Sequence, residues 1–382
     1  MSDDRPQLHL FGSDDSASGV IAHGFEPARL TQARVLAELT KSELAEQVSV
    51  SPAAIGQFES GITRPRADIV DTLSRVLEVP PEYFATGRPV GRLDAADAHF
   101  RSLRSTRAKD RSKAAAHAEQ VWELSHALEK RVRFPDLALP PIHPDATPWE
   151  AARILRDFWS LPRGPVSHLA ALMESNGIIV CLISMTDEAF GRVKAYSTDA
   201  LGRPIVIVTP ERFKSVHEYR FTCAHELGHL LLHPNALPGD RQQEREADQF
   251  AAEFLTPRVE IEPLLPKTVR IPALDALSKT WGVSIESLIY RMGELRLVSE
   301  ASIRRAHQRL ASMAGLRVEE ALVSFPGEVP SLLRDALALA ESTDYTRSQL
   351  AAELCWSERH LSAMLGDVDT RPKLTVVRRP TA

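Results

Sequence analysis

The chain runs to 382 residues, long enough for two or three domains. A net charge of −5 with 25% charged residues is ordinary for a water-soluble protein, and no apolar run approaches the length of a membrane span. Three widely spaced cysteines (Cys181, Cys223 and Cys355) argue against a disulfide framework and against a cysteine zinc site, and with no signal peptide in view a cytoplasmic protein without membrane partners is expected.

Residues 1–24 are polar and rich in Ser, Asp and Gly, so a disordered tail is expected up to residue 27. A compact module is expected over 28–86. Within it, Thr40 to Gly61 reads as helix, short turn, helix. Leu44, Ala45 and Val48 line the first helix. Ser51 is placed to cap the second, Pro52 takes its first position, Ile55 and Phe58 line it, and Gly61 ends it. A further helix is expected from Asp68 to Leu77. This pattern resembles the XRE, or Cro/repressor-like, DNA-binding domains over nearly all of their length. The resemblance implies that the second paired helix enters the major groove N-terminal end first, on a double-stranded DNA operator. Ser51, Pro52, Ala53 and Gln57 would then face base edges, Gln57 with bidentate reach towards adenine. Lys41, Arg64 and Arg66 would lie near phosphates. Against this, residues 28–86 hold six Arg or Lys and eight Asp or Glu. Affinity for DNA scales with phosphate contacts, so a monomer should bind modestly and a homodimer would help. A helical protein-interaction module is the competing reading.

Residues 87–144 read as a helical connector. Its start is basic: Arg101, Arg104, Arg107, Lys109, Arg111 and Lys113 stand against Asp110 alone. That run suits either an extra nucleic-acid contact or a solvated helix face. The Pro-rich stretch Phe134–Pro148 marks a boundary before a domain expected over 145–300.

That domain contains His225-Glu226-Leu227-Gly228-His229. Positions i and i+4 share a helix face, so His225 and His229 can aim at one zinc ion, and Glu226 can take a proton from water held there. Zinc lowers the pKa of water from about 15.7 to about 7. The apolar Ala224, Leu227, Leu230 and Leu231 make this a buried helix. A core helix that happens to carry two histidines is the plain alternative. A third ligand is needed. His233 continues the series, but it lies roughly 12 Å along the helix from His225, too far to share an ion, and reads as a helix C-terminal residue before Pro234. An extended signature with a further Gly and His is absent, because Leu232 stands at the glycine position. A carboxylate is the better candidate. Residues 244–257 read as a second helix with Ala247, Phe250, Ala251, Phe254 and Leu255 as its apolar stripe and Pro257 closing it. Glu244 sits on the inward face at its start, whereas Glu246 and Asp248 fall off the stripe.

These two helices, HELGHLLLH and then Glu-x-x-Ala-Asp-x-Phe-Ala-Ala-Glu-Phe-Leu-x-Pro, resemble the ImmA/IrrE-type metallopeptidases, bacterial zinc proteases that act on transcriptional repressors. The resemblance implies that Glu244 is the third ligand. Asp248 stands where the family usually has Asn, which leaves its role open. The segments Val193–Ser197, Arg203–Val208 and Tyr219–Thr222 fit as well, the alternating apolar run implying a strand near the cleft. An exposed edge strand there would let a peptide substrate add as an extra strand. Arg220 or Tyr196 could stabilise the oxyanion.

A helical region is expected over 301–382. Thr346 to Leu361 echoes Thr40 to Ile55, and Leu277 to Leu288 gives a weaker third copy. Both suit further helix-turn-helix units, with packing favoured over DNA contact. The expected fold is mainly α with a small α+β part: a Cro/repressor-like domain, a zincin-like metallopeptidase domain with a small sheet, and a helical C-terminal region. The expected function is a DNA-binding transcriptional regulator with zinc-dependent endopeptidase activity. His225, His229 and Glu244 would hold Zn2+, with Glu226 as general base, acting on a repressor in trans or on itself in cis, in a stress or mobile-element response. The alternatives are a repressor whose peptidase-like domain only senses a metal or ligand, and a quality-control protease that uses its N-terminal module for recruitment.

Overall fold

The computed structural model describes residues 17–93, 99–100, 108–183, 194–213, 215–234, 240–313 and 326–366. At the N-terminus α1 (Ala17–His23), α2 (Pro27–Leu36), α3 (Lys41–Gln47), α4 (Pro52–Ser60) and α5 (Ala67–Val76) form the helix-turn-helix unit. The local chemistry explains the breaks. Thr40 and Glu43 form a reciprocal capping box at α3, Ser51 caps α4 by accepting from the Ala54 N–H, and Gly61 closes α4 at φ +73°, a left-handed conformation that favours glycine. Over residues 17–27 the expectation of a disordered tail is corrected here. Helix α1 packs on α5, Ile21 and Phe25 are buried, and the Ser18 hydroxyl donates to Asp71. Two apolar side chains in an otherwise polar stretch suffice to dock it. Residues 1–16 lie outside the described residues.

After β1 (His99–Phe100) comes α6 (Ala108–Glu129), a 22-residue helix that is a core element rather than a spacer. Its Ala114, Ala118, Val121, Leu124 and Leu128 are fully buried. The basic run is partly explained: Lys109 and Lys113 both reach Glu38 of the helix-turn-helix unit. Arg101, Arg104 and Arg107 lie outside the described residues.

The next elements are α7 (Pro148–Phe158), α8 (Leu169–Ser175), β2 (Ile179–Leu182), β3 (Ala195–Thr198) and β4 (Ile205–Val208), followed by α9 (Val216–Leu232) and α10 (Arg241–Leu255). Then come α11 (Arg258–Ile261), α12 (Ile271–Trp281), α13 (Ile285–Glu294), α14 (Glu300–Met313), α15 (Leu332–Glu341), α16 (Arg347–Leu354) and α17 (Glu358–Met364). The sheet order is β1-β3-β4-β2. β4 pairs parallel with β2 and antiparallel with β3, and β1 pairs antiparallel with β3 in the register His99↔Ser197 and Phe100↔Tyr196. The apolar run Ile205–Val208 is therefore an interior strand, and the open edge expected near the cleft carries β1 along part of β3.

The sheet is shared by two cores. Ile179, Cys181, Tyr196, Ile205 and Ile207 face the helix-turn-helix unit, α6 and the C-terminal helices. Val180, Leu182, Ala195, Val206 and Val208 face α7 to α10 and α12 to α14. Successive strand residues point to opposite faces, and both faces being covered explains why β2 and β4 are continuously apolar.

Both internal echoes serve packing. In α16–α17, Trp356 and Leu361 enter the first core and Glu353 binds Lys130 and Arg131 at 3.0 and 2.6 Å. In α12–α13, Arg291 is buried against Glu253 of α10.

The helix-turn-helix unit is tied to α6 by buried polar contacts. Arg29, 1% exposed, pairs with Glu123, and Gln32 donates to both Glu119 and Glu123 at 3.0 Å. Removing one partner of a buried pair leaves an uncompensated charge. Arg29→Met is expected to cost about 3–5 kcal/mol of stability in urea unfolding, whereas Arg66→Met, at an exposed pair, should cost less than about 1 kcal/mol.

Candidate metal centre

Helix α9 is capped by Ser215, whose hydroxyl accepts from Glu218 N–H, and it runs into the core with Cys223, Ala224 and Leu227 fully buried. Gly228 lets α10 come close. A Cβ there would meet the Phe250 ring at 3.0 Å and the Ala247 Cα at 3.3 Å. That approach brings the first turns of α10, with their acids, against the histidines of α9.

His225 Nε2 and His229 Nε2 are 3.0 Å apart. Glu244 lies 3.5 Å from His225 Nε2 through one carboxylate oxygen and 3.7 Å from His229 Nε2 through the other. One ligand atom from each residue fits within a 4.8 Å cluster. A tetrahedral ion with ligands at about 2.0–2.1 Å has them about 3.3 Å from one another, so the three separations match a zinc-sized site.

The outer nitrogens decide what the inner ones can do. His225 Nδ1 lies 2.8 Å from Asp248 Oδ1, and an ionised carboxylate only accepts, so this nitrogen carries the proton. His233 Nε2 lies 2.9 Å from Glu246 Oε2 and donates in the same way. Burial pushes the His233 imidazole below its usual pKa, which keeps the ring neutral and makes its Nδ1 an acceptor. His229 Nδ1, 3.0 Å away, then donates to His233. Both Nε2 atoms are left as lone pairs facing each other, an arrangement a shared cation satisfies.

Glu226 is fully buried, and Ser197 Oγ of β3 donates to its Oε2 at 2.8 Å. A buried carboxylate thus directly follows His225 in the chain. Arg220 and Tyr196 are not oxyanion donors in this arrangement. The Arg220 guanidinium is spent on Glu328 and on the carbonyls of Val166, Ser167 and Gly282. Tyr196 points to the opposite face of the sheet and donates to Ala114 O at 3.0 Å. Among the acids of α10, Glu246 and Asp248 do more than their position off the apolar stripe suggests. The i, i+4, i+8 series His225, His229, His233 was a readable signal for a shared face, while Ser197 carried no local signal at all.

In the N-terminal unit Ser51, Pro52, Ala53 and Gln57 are exposed along α4. The cations are exposed but engaged. Lys41 sits 3.1 Å from Glu59, Arg64 donates to His23 O at 2.6 Å, and Arg66 lies 3.3 Å from Asp68.

Two family models match. Residues 30–84 match the helix-turn-helix model, and residues 173–292 match the IrrE N-terminal-like domain. The chain fuses an XRE-type helix-turn-helix domain to an IrrE/ImmA-like domain. No curated protein and no solved structure matches it significantly. The IrrE-like match contains the whole His225, His229, Glu244 cluster together with Ser197, Asp248 and Glu246. In this IrrE-like domain, no helix among the described residues, and none elsewhere in them, is long and apolar enough to cross a membrane.

The geometry gives the acids of α10 unequal weight. Glu244→Ala is expected to lower zinc occupancy more than Glu246→Ala does. Asp248→Ala should weaken zinc binding about 10–100-fold, whereas Asp248→Asn, which keeps an acceptor for His225, should lose less; competition with a chromophoric chelator measures all four variants.

Proposed function

We propose that this protein is a DNA-binding transcriptional regulator whose IrrE-like domain is a zinc-dependent endopeptidase. The observation that carries the reading is the pair of proton-fixing contacts, Asp248 to His225 and Glu246 through His233 to His229, which turn two Nε2 lone pairs onto Glu244 beside a buried carboxylate. His225, His229 and Glu244 hold the ion. Bound there, zinc supplies a Lewis acid for the scissile carbonyl and makes water acidic enough to react near neutral pH.

The rest of the chemistry belongs to the chain. Glu226 takes the proton from the attacking water and can return it to the leaving amine. Ser197 fixes the carboxylate by its hydrogen bond, so the base does not have to be ordered during the reaction. The peptide substrate lies extended along the outer edge of β3, gaining main-chain hydrogen bonds that are independent of its sequence. β1 already pairs with that edge, and it belongs to the stretch between the helix-turn-helix unit and α6. This favours the chain itself as a substrate, with a repressor in trans as the other target. Cleavage changes transcription at an operator read by the exposed edge of α4, through Ser51, Pro52, Ala53 and Gln57, with Lys41, Arg64 and Arg66 near phosphates, as the output of a stress or mobile-element response in the cytoplasm. Lys41, Arg64 and Arg66 each have a local partner, so a homodimer would strengthen DNA binding.

Purified wild type and Glu226→Gln are incubated with and without zinc, and intact mass is followed under denaturing conditions. Glu226→Gln should keep zinc near one per chain while cleavage slows about 10²–10⁴-fold, the usual contribution of a general base. Equal cleavage in both proteins would remove Glu226 from the mechanism. Ser197→Ala should slow cleavage by a smaller factor, about tenfold, as expected for one lost hydrogen bond to a charged group.

A further inference from the structure

A cavity of about 390 Å³ lies at the C-terminal end of α10. Glu253 of its lining is roughly 14 Å along the helix from Glu244, so this cavity and the metal centre share α10 but no residue. The volume is at the lower end of small-molecule sites, about 300–1,000 Å³. Helix α7 contributes Trp149 and Arg153 from adjacent turns, and Arg258 opens α11. The last turn of α13 adds Arg291 and Glu294, with Leu295 and Arg296 just after it.

The lining holds four arginines and two glutamates, and both glutamates are already engaged. Buried Glu253 accepts from Arg291 and, at 3.3 Å, from the Arg258 backbone N–H, and it lies 3.3 Å from Arg153 Nε. Glu294 accepts from Arg291 at 2.6 Å and from the Trp149 indole at 3.2 Å. The positive charge left over is open to solvent. The side chains of Arg153 and Arg258 are 55% and 59% exposed. Arg153 meets its acid through Nε, and Arg258 bonds Glu262, outside the lining, through Nε at 2.9 Å. The terminal amino groups of both make no hydrogen bond among the described residues. Arg296 is exposed and has no acidic partner among them. Its backbone is nevertheless fixed, at φ +58°, by its own N–H on Gly293 O and by the Leu297 N–H on Met292 O, both at 2.9 Å. Guanidinium forks match the oxygens of carboxylates and phosphates. The excess of two positive charges decides between them, because a phosphate monoester carries close to two negative charges at pH 7 and a carboxylate one.

We propose that this cavity binds a phosphate monoester, its phosphoryl oxygens shared by Arg153, Arg258 and Arg296 and its organic body against Trp149 and Leu295. The indole N–H is spent on Glu294, which holds the ring in place as an apolar wall. The ligand joins α7, α11 and the end of α13 around the far end of the helix that begins with Glu244. The IrrE-like domain thereby acquires a small-molecule site separate from its metal centre.

The test titrates full-length protein by calorimetry with phenyl phosphate and, separately, with benzoate, which keeps the ring and carries a single charge. Wild type should show one saturable site for phenyl phosphate and bind benzoate about tenfold more weakly or worse. Arg296→Gln and Arg258→Gln should each weaken phenyl phosphate about tenfold, as expected for one lost contact between charged groups. Both side chains are exposed, so zinc content and the thermal midpoint of the free protein should stay near wild-type values. Arg75→Gln, at an exposed arginine of α5 outside the lining, should bind as wild type does. Absence of a saturable site in wild type, undiminished binding in both lining variants, equal weakening in Arg75→Gln, or benzoate binding as tightly as phenyl phosphate would overturn the proposal.

Discussion

Two imidazole nitrogens held 3.0 Å apart, each ring tied at its other nitrogen, are the constraint around which the histidine pair of the IrrE-like domain is built. With the far nitrogens donating, the near ones offer lone pairs that a shared cation satisfies. The protein enforces the arrangement from behind, with a carboxylate at the far end of each chain of donors, Asp248 on one side and Glu246 on the other. Both carboxylates come from α10, and α10 reaches α9 closely enough because residue 228 has no side chain. The helix pair, the glycine and the ring tautomers are thus one device.

The same site depends on the sheet. Ser197 reaches Glu226 only because β3 lies across α9, and β3 is held there by β4 on its inner edge. The opposite faces of these strands belong to the core that contains the helix-turn-helix unit. The base that would cut peptides and the helices that would read DNA are therefore braced by the same few strands, four residues each in β2, β3 and β4.

Much of this was legible in the sequence. The i, i+4 histidines, the capping Ser51 with Pro52, and the apolar stripe of α10 are local patterns, and local patterns survive into the fold: Ala247, Phe250, Ala251, Phe254 and Leu255 are all buried. What was not legible is non-local. Asp248 and Glu246 read as solvated acids because a helix wheel shows only the direction of the core, and their partners, His225 and His233, come from another helix and the residue that ends it. Ser197 is one serine in a strand until topology sets it 2.8 Å from a carboxylate. The tail failed for another reason: composition averaged over residues 1–24 hid Ile21, which docks α1 together with Phe25 just beyond it. Arg220, a tempting oxyanion donor by its place on α9, is instead the clasp that joins α9 to Glu328, whose carboxylate accepts from the Leu169 and Ala170 N–H groups.

The polar seam between α2 and α6 alters what a cut in the intervening stretch would accomplish. Arg29 with Glu123, Gln32 with Glu119 and Glu123, and Lys113 with Glu38 all join residues before position 93 to residues after 108. A chain severed between those positions does not fall apart at once. It becomes a complex of two fragments, subject to mass action, whose lifetime is set by the dissociation rate of a buried charged interface. Severing the backbone and losing the DNA-reading unit are then separate events in time, and the interval between them belongs to Arg29 and Glu123 rather than to the peptidase.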